Sequence, residues 1–108
     1  MKEKKLLTLL QKKKGFFEAI LDLTENEIHL PISEWFVTLE QKKVLLSCIE
    51  EIDHELSLFK DSFHILSQEI SEEIEEIRKV VERILHLDSR SQEKRKVELR
   101  SYDTGKAS

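Results

Sequence analysis

The chain has 108 residues, 37% of them charged and only 6% aromatic, with a net charge of −4. That length admits one domain with a modest core, and this composition excludes a compact strand-rich fold in favour of exposed helices. The lone cysteine, Cys48, excludes an intrachain disulfide framework, and the apolar stretch after the basic opening ends at Gln11 to Lys14, too short for a signal-peptide core or a membrane span, so a cytoplasmic protein is expected.

The first predicted helix covers about residues 4–29, with Leu6, Leu10, Phe17, Ile20 or Leu21, and Ile28 along one side and Leu7, Phe16 and Leu23 widening the stripe. Gly15 is its weak point, because a helix-interior glycine costs about 1 kcal/mol relative to alanine. The sequence therefore leaves open a helix that begins near Gly15 behind a frayed basic arm. Pro31 is the firm break: it disfavours helix at Leu30, after which Ser33 can cap a new helix, with Ile32 and Val37 at staple spacing across the cap.

A second helix is predicted from Glu34. Between Ser33 and Thr104 there is no proline or glycine, and large apolar residues recur at alternating steps of three and four: Leu45, Ile49, Ile52, Leu56, Phe59, Phe63, Leu66, Ile70, Ile74, Ile77, Val81 and Ile84. Steps of this kind lie on one stripe of an α-helix. Two architectures follow. The stripe continues unbroken to Leu87, a helix of roughly 80 Å at about 1.5 Å per residue that needs a dimer or a waiting partner; or the chain turns near residues 57–62, capped by Asp61 or Ser62, into helices of about 34–60 and 62–100. Both are all-α, a long antiparallel hairpin or three-helix bundle with coiled-coil-like packing in one domain over residues 1–100. Residues 101–108 are expected to be a disordered end.

Charge is segregated along the chain. Residues 1–14 carry +5, residues 88–108 carry +2 and the stretch between them −11, much of it in Glu69, Glu72, Glu73, Glu75 and Glu76. An acidic middle repels phosphate backbones, and the basic ends lack interleaved aromatics, so nucleic acid is not an expected partner. Catalytic signatures are also missing. Glu51 and His54 form one Glu-x-x-His element where di-iron bundles use two with further inward glutamates, and they sit beside the apolar stripe. His29, His64 and His86 share no metal-ligand spacing, Cys48 has no basic neighbours to activate it, and no glycine-rich phosphate loop or nucleophile elbow is present. Neither an enzyme, a metal nor a cofactor is expected.

The run Leu6 to Leu10, Lys13, Phe16, Phe17, Ile20, Leu23-Thr24 and Glu27, followed by Leu39, Lys42-Lys43, Leu45-Leu46, Ile49 and Ile52-Asp53, and then by Val81 to Asp88, resembles the FlgN and FliT type of flagellar, type III-like export chaperone. The resemblance covers most of residues 5–100. The chain departs from it in its short length for the FlgN branch and in the polar stretch Asp88 to Lys96. It implies a cytosolic chaperone that binds an amphipathic helix of a secreted or flagellar subunit and keeps it unassembled before export. The client-facing residues implied are Ile77, Val80, Val81, Ile84, Leu85 and Leu87, and Tyr102 is placed to dock on the export gate. The alternative from another class is a structural, self-associating coiled-coil protein without a client; a homodimer is compatible with either.

Overall fold

The computed structural model describes residues 2–59 and 67–107, and it contains three helices: α1 (Lys2–Glu27), α2 (Ile32–Ser57) and α3 (Gln68–Ala107). The ion pairs between helices fix their directions. Lys13 of α1 meets Asp53 of α2 at 2.6 Å while Glu27 meets Lys42 at 2.8 Å, so α2 runs antiparallel to α1. Lys14 reaches Glu73 and Glu76 whereas Arg95 reaches the end of α1, so α3 runs parallel to α1. The result is an all-α three-helix bundle of 65 × 21 × 19 Å.

Helix α1 begins at Lys2, and Gly15 lies within it without breaking it. Leu6, Leu9 and Leu10 explain why: all three are buried, and burying a leucine stabilises by about 1.5–3 kcal/mol, more than a helical glycine costs. After a turn closed by Leu30 N–H donating to the Glu27 carbonyl, Pro31 supplies the start of α2 in place of Ser33. Its φ of −64° is already suited to entering a helix, and its carbonyl accepts from the Glu34 and Trp35 amides. Ser33 is thereby drawn into the first turn, and Val37 stands exposed instead of forming a staple with Ile32.

The unbroken helix from Glu34 to Leu87 does not form. Helix α2 ends at Ser57, where the Leu58 and Phe59 amides turn back onto the Glu55 and Leu56 carbonyls, and α3 opens at Gln68 with the Ser67 hydroxyl accepting from the Ile70 amide at 3.3 Å. The caps considered at Asp61 and Ser62 lie outside the described residues. Turning back gives the stripe a partner within one copy of the chain, which explains why periodicity continued across the break. Helix α3 runs on through Ala107, past the Arg100 boundary read from the sequence.

The core has two parts. At one end Leu6, Leu9 and Leu10 of α1 enclose Ile52 and Leu56 of α2 and Ile70 and Ile77 of α3. Farther along, Ile20, Ile49 and Ile84 meet, one from each helix. Helix α1 therefore backs both of its neighbours, and α2 and α3 diverge on the outer side.

Candidate helix-docking site

The structure separates the six residues expected to face a client. Ile77 and Ile84 are buried in the core, the latter at 6% exposure, while Val80 and Val81 are half-buried against it. These four are covered by α1 and α2 and form no open face. Leu85 is 62% exposed. Leu87 is half-buried, but two residues along a helix is about 200° around it, so Leu85 and Leu87 cannot share a face. Of the six, only Leu85 is exposed. The backbone of Tyr102 is helical within α3, but its side chain, on which the expected gate docking depends, lies outside the described residues.

Leu85 lies one helical turn from Asp88, which lines the cleft between α2 and α3. A cavity of about 360 Å³ opens there, walled by Trp35, Leu39 and Leu46 from α2 and by Asp88 and Gln92 from α3. Leu46, exposed like Leu85, lies one helical turn from Lys42, and Leu85 lies one turn from Asp88. The 2.8 Å Lys42–Asp88 contact brings the two leucines to the same level.

The floor of the cleft is charged. Buried Lys42 lies 2.8 Å from Glu27 and 2.8 Å from Asp88, so one ammonium joins all three helices. Arg95, 1% exposed, donates to the Glu27 and Leu30 carbonyls at 2.6 and 2.7 Å, and its guanidinium lies 5.5 Å from the centre of the Trp35 ring. Lys94 donates to the neighbouring Ile28 carbonyl. Two basic side chains of α3 thus cap the carbonyl end of α1, where the helix dipole favours positive charge. Sequence reasoning missed this layer, although a signal existed. Asp88, Ser91 and Arg95 continue the three-and-four spacing of Ile77, Val81 and Ile84, so the inward stripe persists and changes only from apolar to polar.

A second set of charges joins α1 to α3 at the surface. Hydrogen bonds from Lys14 to Glu76 at 2.7 Å and Glu73 at 3.0 Å raise the lysine pKa, and the Lys14 bond holds the Glu76 carboxyl below its ordinary value. Arg78 likewise lowers Glu75. A depressed carboxyl pKa stabilises the fold above its unfolded value of 4.5 and loses that effect as pH falls through the folded value. Lys14→Met is therefore expected to lower the Tm at neutral pH, with the difference from wild type shrinking as the pH falls through the folded-state pKa of Glu76. Thermal melts along a descending pH series check this, and about 1 M salt should shrink the difference at neutral pH.

Glu51 and His54 are both exposed on α2, and His29 and His86 are exposed as well, while His64 is outside the described residues. Among the described residues no three His, Cys, Asp or Glu side chains are grouped to hold a metal ion. No helix among them is long and apolar enough to cross a membrane. Comparisons with protein-family models, curated proteins and solved structures find no match to this chain.

Proposed function

We propose that the chain is a non-catalytic cytoplasmic carrier of the FlgN/FliT export-chaperone type, which holds an amphipathic helix of a flagellar or type III-secreted subunit and keeps it unassembled before export. The observation that supports this reading is the α2–α3 cleft, lined by exposed Leu46 above a charged floor, with exposed Leu85 one helical turn from its lining residue Asp88. An amphipathic helix laid there would bury both leucines and extend toward Leu39 and Trp35, the helix-in-groove mode of recognition. The client-facing set is accordingly Leu85 with α2 residues, in place of the full stripe from Ile77 to Leu87. Ordering the client helix offsets much of the apolar gain, so the affinity is moderate and the client can be released. Beyond Arg95, α3 extends from Lys96 to Ala107, about 18 Å, and in this reading Tyr102 is the residue that would dock on the export gate.

The test uses labelled peptides of the C-terminal helices of a hook–filament junction subunit and a filament-cap subunit, titrated with wild type and Leu85→Asp by fluorescence anisotropy. Wild type is expected to bind one of them, and Leu85→Asp to weaken binding by about tenfold or more at unchanged Tm. Equal binding by both proteins, or none by either, overturns the proposal. A client-free scaffold would bind neither peptide, and Leu85→Asp would instead dissolve an oligomer.

A further inference from the structure

The cavity between α2 and α3 is too small for a helix to enter. One helical turn, about 5.4 Å long and about 10 Å across, fills roughly 420 Å³, whereas the whole cavity holds about 360 Å³. What fits inside is a side chain. An apolar cavity of about 150 Å³ suffices for benzene, so a phenol or an indole has room here for its polar atom to reach the rim.

The walls specify its chemistry. On the α2 side they are apolar: Trp35, Leu39 and Leu46. Trp35 is the single tryptophan of the chain, and its ring is held by the Arg95 guanidinium 5.5 Å from its centre and by the Phe36 ring at 5.2 Å. Neither Arg95 nor Phe36 lines the cavity, so the indole is a fixed surface against which a second ring can pack. The α3 side supplies an acceptor. Lys42 donates to Asp88 Oδ1 at 2.8 Å, which leaves Asp88 Oδ2 open among the described residues.

Full charges are already matched around the cavity. Glu27, Glu40 and Asp88 stand against Lys42 and Lys43, and buried Lys42 is committed to Glu27 and Asp88. A cationic ligand would compete with Lys42, and an anionic one would face three carboxylates. A hydrocarbon side chain would cover Asp88 Oδ2 without pairing it, which costs its hydration. A neutral ring with one O–H or N–H meets both walls at once, its faces against the leucines and Trp35 and its donor on a carboxylate.

We infer that this cavity is an anchor pocket for one tyrosine or tryptophan side chain, projected from the helix docked over the α2–α3 cleft, with its O–H or N–H donated to Asp88. The docked helix is taken from the proposed function; the residue by which it is recognised is new. An aromatic anchor seated in a desolvated pocket carries a large share of such an interface's energy, while the contacts around it exclude water.

The test separates the pocket from the helix. Trp35 gives the one tryptophan indole N–H peak in nitrogen–proton correlation spectra of the full chain, and phenol, the tyrosine ring alone, should shift it saturably with a Kd in the millimolar range. Anisole, the same ring with its donor methylated, should bind at least about threefold more weakly, and Asp88→Asn should shrink that preference because it removes the acceptor's charge. Leu46→Phe, at an exposed position, fills the cavity and should weaken phenol binding by about fivefold or more at unchanged Tm. For the helix, two labelled amphipathic peptides are titrated by fluorescence anisotropy, identical except for tyrosine or leucine at the centre of the apolar face. The tyrosine peptide should bind about tenfold more tightly, and Leu46→Phe should erase the difference. An unmoved Trp35 peak, equal binding of phenol and anisole, or equal binding of the two peptides overturns the inference. Saturable phenol binding with neither peptide captured overturns the docked helix, here and in the proposed function, while the ring-binding chemistry of the pocket stands.

Discussion

Replacing Ile84 with aspartate is expected to unfold the bundle. Ile84 is 6% exposed and touches Ile20 of α1 and Ile49 of α2 at the one level where each helix contributes an isoleucine. A carboxylate there loses its hydration without gaining a partner, and the isoleucine's own packing is lost as well. Together these cost about 3–5 kcal/mol. A domain of this size holds roughly 5–15 kcal/mol in total, so the variant should melt well below wild type or fail to fold at ambient temperature, as read by circular dichroism. The sequence alone predicts the opposite, a charge tolerated on an open stripe with helicity nearly intact. Leu85→Asp, one residue along but 62% exposed, is the control and should melt like wild type. Retained helicity and Tm in Ile84→Asp would mean that α3 does not pack against α1 and α2 in this register.

The second large effect is expected at Lys42. Its ammonium lies between Glu27 and Asp88, and Glu27 is almost wholly enclosed. Lys42→Met keeps the aliphatic stem and removes the charge, which leaves the Glu27 carboxylate buried without a cation. Breaking a buried ion group in this way typically costs about 3–5 kcal/mol. Replacing the whole group, as Glu27→Leu, Lys42→Met and Asp88→Leu together, removes the stranded charge too and should recover most of that loss. Urea denaturation of the single and triple variants checks both statements. If the triple variant is no more stable than Lys42→Met alone, the three side chains do not act as one unit.

Fold class was legible because it rests on spacing. The stripe from Leu45 to Ile84 requires helix whatever its partner, and Pro31 marks the first turn unaided. The second turn was not legible, because residues on both sides of it belong to one stripe and neither glycine nor proline punctuates it. Chain ends at α2 are set by backbone amides folding back near Leu58, a feature without a side-chain signature. The site suffered from the same ambiguity. An apolar residue on a stripe faces either its own subunit or the outside, and only the packed structure buries Ile77 and Ile84 and leaves Leu85 exposed. The burial of Glu27, Lys42 and Arg95 was not legible because polar residues at inward positions look, residue by residue, like solvated helix surface.

The parallel pairing of α1 with α3 also governs how the chain is made. Contacts such as Lys14 with Glu76 or Glu27 with Arg95 span more than sixty residues, so the first helix waits for the last third of the polypeptide before its oily side is sheltered. At about 5–20 residues per second, translation of the forty residues of α3 takes roughly 2–8 s. During that interval the nascent hairpin is a half-built core at the ribosome exit, open to proteases and to neighbouring chains, and premature termination after residue 67 would leave it so permanently.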